Sequence, residues 1–166
     1  MQGPSAACTG KTIFRQLDAT GKQAILDKHN ELRRKVAKGE EAGQPAAANM
    51  KQMVWNDELE AIAQRWADQC EFGHDSVRTK LDGTSVGQNA YIGYSSAAAA
   101  EATVQAGMGG PAQNWYDEVT NPGFSSANIS PFVFDYGAGH YTQVVWAESE
   151  ELGCAVVYFK VCLTWG

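Results

Sequence analysis

The chain has 166 residues, 44% of them hydrophobic, with 13 Lys and Arg against 19 Asp and Glu for a formal net charge of −6. That length and apolar content suit one folded domain, residues 1–166, with a sizeable core, and not a disordered segment. An acidic balance without a long basic run argues against nucleic acid or an anionic membrane as main partner, and no apolar run approaches the ~20 residues of a membrane span.

Met1 to Ala7 lack the basic and apolar start of a signal peptide, and Met1 ahead of Gln2 reads as a start placed on a mature secreted chain. Thr20-Gly21-Lys22-Gln23 reads as a capping box opening a first helix. Ile25, His29, Leu32 and Val36 fall on one face of it, and Gly39 is its stop. His29 sits on that apolar face and reads as a hydrogen-bonded structural histidine, outside any site. Residues 40–49, rich in Gly, Ala, Gln and Pro, read as a surface loop. Asn56 caps a second helix with Asp57 and Glu58 in its first turn, and Leu59, Ile62, Ala63, Trp66, Ala67 and Cys70 form a stripe read as core.

Residues 73–85 are polar and glycine-bearing, a loop, and residues 86–94 have room for a short strand. Residues 96–106 are alanine-rich and helical in pattern. After Gly107-Met108-Gly109-Gly110, Pro111 suits the start of another helix, with Trp115, Glu118 and Val119 on one face. Asn121-Pro122-Gly123 ends it and begins a long loop. In Gly139-His140-Tyr141-Thr142-Gln143-Val144-Val145-Trp146, Thr142, Val144 and Trp146 alternate with Gln143 and Val145, the period of a strand. Residues 154–161 read as a second late strand, with residues 148–153 as the turn.

The four cysteines, Cys8, Cys70, Cys154 and Cys162, permit two disulfides in three connectivities. No Cys-x-x-Cys and no His-Glu-x-x-His occurs, so a zinc finger and a standard zinc protease are disfavoured. Gly83-Thr84-Ser85-Val86-Gly87 matches the nucleophile-elbow pattern, but no buried strand precedes it and no helix follows, so the match reads as chance. Asn128-Ile129-Ser130 is a glycosylation sequon with Pro131 directly behind it. Lys38-Gly39-Glu40 is a basic residue, a glycine and an acid at a helix stop, a candidate partner contact beside the plainer reading of solvated charges.

Four stretches together resemble the CAP superfamily, the cysteine-rich secretory, antigen-five and pathogenesis-related-1 proteins. They are His29-Asn30-x-x-Arg33, Cys70-x-Phe72-x-His74, Trp115-Tyr116-x-Glu118, and Gly139-His140-Tyr141-Thr142-Gln143-x-Val145-Trp146 with Leu152-Gly153-Cys154-Ala155. Within the family the chain looks most like the single-domain secreted proteins of parasitic nematodes. The resemblance implies an α+β fold, a three-layer α-β-α sandwich with a mostly antiparallel central sheet. It implies a cleft formed by His74, Gln88, Glu118 and His140. Gln88 stands where the family carries a carboxylate, which removes one charge from the cleft. The resemblance also implies a Cys154–Cys162 bond closing the final hairpin, and with it a Cys8–Cys70 bond.

Two imidazoles suit Zn²⁺, so His74 and His140 are the metal candidates, with Glu118 as ligand or orienter and the metal not required for the fold. The function implied is a secreted, non-enzymatic effector. Its partner would be a host cell-surface protein, a platelet integrin among them, and its candidate contact Lys38, Gly39 and Glu40. One alternative is a sterol or lipid carrier using the aromatic-bearing residues 124–136, although Phe132, Phe134 and Tyr136 read as ordinary packing residues. The other is a metal-dependent hydrolase in which His74 and His140 hold a metal and Glu118 acts as base.

Overall fold

The computed structural model describes residues 5, 8, 12–95 and 99–159. Its longest element, α1 (Ala19–Ala37), follows strand β1 (Thr12–Arg15) and buries Ile25, His29, Leu32 and Val36, the stripe expected from the periodicity. The cap is not the expected Thr20–Gln23 box. Asp18 precedes the helix and its Oδ1 accepts from the Gly21 N–H at 2.8 Å, so an acid two residues earlier satisfies the exposed donor. At the other end Gly39 takes φ +71°; its N–H donates to the Val36 carbonyl and that of Glu40 to the Lys35 carbonyl, the paired bonds of a Schellman stop.

Behind α1 come β2 (Val54–Trp55), α2 (Asp57–Ala67), α3 (Glu101–Ala106) and α4 (Gly109–Asp117). The chain ends its described part with α5 (Gly139–Val144), β3 (Glu151–Leu152) and β4 (Val157–Phe159). The architecture is α+β. Among the described residues the strands form two ladders: β1 pairs antiparallel with β4, and β2 parallel with β3. Residues 86–94, expected to hold a strand, are in no strand or helix. Of the expected strand at residues 154–161, only β4 is in a ladder within the described part.

Two further expectations are corrected. The Tyr141–Val144 run is helix, not strand, because Tyr141 and Val144 at helical spacing both enter the core. The stripe of α2 is not core. None of its residues is fully buried; Leu59, Ile62, Ala63 and Trp66 line an open cavity of about 1910 Å³. α2 is held to α1 and β2 by polar contacts instead: Glu60 Oε2 takes Lys22 Nζ of α1 at 2.5 Å and Trp55 Nε1–H of β2 at 2.8 Å.

The core lies between α1, α4 and α5, where Leu32, Val36, Tyr116, Tyr141 and Val144 meet Val119, Phe124 and Ala138. Tyr141 packs edge-on to Tyr116 and against Phe124, at centroid distances of 5.4 and 5.6 Å. Below it runs a polar core. Arg33, 1% exposed, donates to the carbonyls of Lys51, Val144, Trp146, Ala147 and Ser149 at 2.6–3.2 Å. Asn30 and Met53 exchange two bonds, side-chain amide to carbonyl at 3.0 Å and backbone N–H to amide oxygen at 2.8 Å, as a strand partner would. Burial lowers the Arg33 pKa to about 10, which still leaves it charged at neutral pH.

Cys8 and Cys70 are disulfide-bonded with Cα atoms 5.5 Å apart, tying the N-terminal segment to the end of α2. The Cys154–Cys162 pairing involves a residue outside the described ones. Burial pushes the Cys154 thiol up to about 12.

Loop 40–49 is fastened at Glu41, 6% exposed, whose Oε2 accepts from Tyr116 Oη at 2.6 Å and from Lys35 Nζ at 2.5 Å. Burial alone would raise this carboxyl, but the bonds from Lys35 and Tyr116 outweigh it and hold it below its ordinary value. A depressed folded-state pKa adds stability above the unfolded-state value, and that contribution disappears as pH falls through the folded-state value. The stability gap between the wild type and Glu41→Gln should therefore be full at neutral pH and close below about pH 4. Denaturant melts across pH 2.5–7 test this; a gap that widens in acid refutes it. Arg33→Met strands five carbonyls and should cost at least ~3 kcal/mol in denaturant unfolding. A loss under ~1 kcal/mol would contradict the role given to Arg33.

Candidate functional site

α5 begins without help from its own sequence. The residue before it, Ala138, has no side chain able to accept the helix's exposed N–H groups. Glu118, directly after α4, supplies the acceptor from 22 residues away. Its Oε2 takes the His140 N–H at 3.0 Å and the Tyr141 N–H at 3.1 Å. Its Oε1 takes His140 Nδ1–H at 2.6 Å. One carboxylate thus caps a helix and orients the imidazole that helix carries. Since an oxygen acceptor faces Nδ1, the neutral ring carries its proton there and leaves Nε2 as the lone pair.

Trp115 stacks on the His140 ring, centroids 6.2 Å apart at 22°, while its own Nε1–H donates to the Ala90 carbonyl at 3.2 Å. Asn89 Nδ2 donates to the His140 carbonyl at 3.0 Å. The sequence singles out Trp115 as a helix-face and family-motif residue, and Asn89 only as the neighbour of Gln88. Their hydrogen-bonding and stacking roles carry no local signal.

His74 stands in the loop after α2, exposed, with Gln88 Oε1 3.0 Å from its Nδ1. The same oxygen accepts the Asp75 N–H at 3.0 Å, which fixes the amide with its oxygen toward the ring. His74 therefore has the same tautomer as His140, with Nε2 bare. Gly87 lets this segment approach α5: a Cβ there would lie 2.0 Å from Gln143 Oε1. Asp75, in an ion pair with Arg65 at 2.5 Å, anchors the loop from below.

The expected quartet is thus two pairs, His74 with Gln88 and His140 with Glu118. They are bridged by adjacent residues, since Gln88 bonds His74 and Asn89 bonds His140. Both imidazoles reach solvent; the His140 side chain is 37% exposed. Gln88, Asn89 and Trp115 also border the cavity that α2 lines. Lys38 and Glu40 pair with each other at 3.6 Å around Gly39, each more than half exposed.

For a metal, the donors on offer are the two Nε2 atoms. Glu118 is committed to three hydrogen bonds, and no group of three ligating side chains is gathered among the described residues. Two imidazoles are fewer than the three or four protein ligands of an ordinary zinc site.

The model of the CAP (cysteine-rich secretory protein) family matches residues 26–162. The chain belongs to the CAP family. It is 41% identical over 162 residues to Scoloptoxin SSD552 of Scolopendra dehaani, covering 93% of this chain and 69% of that protein. To the CRISP/Allergen/PR-1 protein of Trittame loki it is 39% identical over 163 residues, covering 95% of this chain but only 38% of that one. The chain thus spans much less than half the length of the second relative. A solved CAP structure, the crystal structure of NaASP2 with Zn2+, matches with a TM-score of 0.63 and 28% identity over 82% of this chain and 72% of that one. Among the described residues of the CAP chain, no helix is long and apolar enough to cross a membrane.

Imidazole nitrogen NMR tests the geometry. Glu118→Ala should convert His140 from the Nδ1–H tautomer to a mixture dominated by Nε2–H, leave His74 unchanged, and lower stability by about 2–4 kcal/mol. An unaltered His140 spectrum would show that Glu118 does not orient it.

Proposed function

We propose that this CAP protein is a secreted, non-enzymatic effector, of the kind parasitic nematodes release, that acts by binding a host cell-surface protein, with a platelet integrin as the first candidate. The observation that carries the reading is the aromatic surface between α4 and α5. Phe132, Phe134, Tyr136 and Trp146, three of which read from sequence as packing residues, are 45%, 54%, 95% and 45% exposed. They form two edge-to-face pairs, Phe132 on Trp146 and Phe134 on Tyr136, each with centroids 5.2 Å apart. Phe134 also covers Gly139, so the patch begins one residue from His140. Exposed rings of this density, on a loop fixed at both ends to the core, favour a macromolecular contact.

The integrin candidate rests on Lys38-Gly39-Glu40, whose two charges, among the described residues, pair with each other on an exposed helix stop. A divalent ion at His74 and His140, Zn²⁺ first, would add a positive charge beside the aromatic surface and stiffen the two imidazoles. The hydrolase alternative is weakened by Glu118: a carboxylate that already accepts three bonds, two of them from backbone amides, is a poor general base. The sterol or lipid alternative competes for the same aromatic residues and separates in the same experiment.

Purified protein is applied to immobilised integrin ectodomain and, in parallel, to sterol-bearing vesicles. The triple change Phe132→Ser, Phe134→Ser, Tyr136→Ser should leave the melting temperature nearly unchanged and weaken the protein contact at least ~30-fold. Changing Lys38 and Glu40 to Ala should affect integrin alone. Vesicle binding without integrin binding would replace the proposal by the carrier reading, and neither would defeat both.

A further inference from the structure

Charge is distributed unevenly along this chain. Between Lys80 and Lys160 the sequence has no Lys or Arg, yet eight of its 19 Asp and Glu fall there. All four rings of the exposed aromatic surface, Phe132, Phe134, Tyr136 and Trp146, lie in that stretch. Two acids beside them carry no counter-charge. Asp135, between Phe134 and Tyr136, turns one carboxylate oxygen to the Gly137 N–H at 2.8 Å. Glu148 is exposed in the turn that the Ser149 N–H closes onto the Trp146 carbonyl at 3.1 Å. Neither is in an ion pair among the described residues. Lys51, whose N–H meets the Ala147 carbonyl at 3.1 Å, has its ammonium on Glu150.

The rings themselves are not covered by the protein's own cations. Among the described residues, ammonium groups lie over other aromatics, Lys22 over Trp55 at 5.6 Å and Lys35 over Tyr116 at 5.5 Å, and none over these four. The planes within each surface pair are nearly perpendicular, at 89° and 83°. Such a contact engages one face of one ring, so at 45–95% exposure the surface still presents ring faces to solvent. A ring face is negative at its centre and attracts a guanidinium or ammonium, and carboxylates at the border add to the same pull. A purely apolar partner would leave Asp135 and Glu148 unmatched at the edge of the contact, and an anionic one would be repelled.

We propose that the aromatic surface receives a basic segment of its protein partner, whose Arg side chains lie on the rings of Phe132, Phe134, Tyr136 and Trp146 and are matched in charge by Asp135 and Glu148. This rests on the reading of that surface as a protein contact and adds the chemistry of the opposite side. Arg is favoured over Lys, because a planar guanidinium stacks on a ring while its edge N–H groups still reach a carboxylate.

Two peptides of equal length decide it: a short acetylated repeat of Gly-Arg-Ser, and the same peptide with neutral citrulline in place of every arginine. Titration calorimetry of the intact protein in metal-free, low-salt buffer should give at least ~10-fold tighter binding for the arginine peptide. The triple change Phe132→Leu, Phe134→Leu, Tyr136→Leu keeps the net charge and an apolar surface but removes the ring faces. It should weaken the arginine peptide at least ~5-fold and leave the citrulline peptide within about twofold of the wild type. Asp135→Asn with Glu148→Gln keeps the rings and should weaken the arginine peptide alone, by about threefold or more. The proposal is overturned if neither peptide binds the wild type, if both bind it equally, or if either variant retains the wild-type preference. The integrin measurement with the serine variants uses neither peptide, so the protein-contact reading stands or falls separately.

Discussion

Arg33 is the contact on which the rest of the molecule depends. Its guanidinium lies almost wholly out of water and meets no carboxylate; its partners are five backbone carbonyls from two separate stretches, Lys51 and Val144 to Ser149. A charge so placed is tolerated because nearly every N–H finds an oxygen. Geometry follows from that requirement: α1, the segment entering β2 and the turn leaving α5 must converge at one point. Asn30, one turn earlier on the helix, repeats the device with Met53. The motif His29-Asn30-x-x-Arg33 is thus three polar side chains pointing into the protein, two of which replace a sheet's hydrogen bonds with a helix's side chains.

α5 extends the same logic to the candidate site. It is six residues long, too short to be stable alone. Its first N–H groups are satisfied by Glu118 and its last carbonyl by Arg33, so both ends are closed by side chains from other helices. His140 gains its orientation from this arrangement. The imidazole is held at Nδ1 by Glu118, on one face by Trp115 and at its backbone carbonyl by Asn89, and only Nε2 remains uncommitted.

How much of this was legible in the sequence follows from how local each cause is. The buried face of α1, its stop at Gly39 and the Asn56 cap of α2 depend on neighbours within a few positions, and all can be read from the chain. The strand pattern of Thr142, Val144 and Trp146 misleads because the forces that make α5 a helix come from Glu118 and Arg33, far outside any window. The apolar stripe of α2 reads as core because periodicity reports that a face is apolar without reporting what lies against it; here the answer is a cavity. The pairing of Gln88 with His74 could be anticipated only as membership of a common cleft. That the neutral amide would present its oxygen, and so impose the same tautomer a carboxylate would, is visible only once the Asp75 N–H is in place. Likewise Phe132, Phe134 and Tyr136 are exposed although nothing in their composition distinguishes them from core residues.

Glu118 couples architecture to chemistry in a way that limits how the protein can change over time. A lineage that abandons every use of its cleft would still keep this acid, because losing it unravels the start of α5. The survival of Glu118 beside His140 in a descendant would consequently say little about what that descendant does. Gln88, which caps no helix and among the described residues bonds only the His74 ring and the Asp75 N–H, is under no such hold.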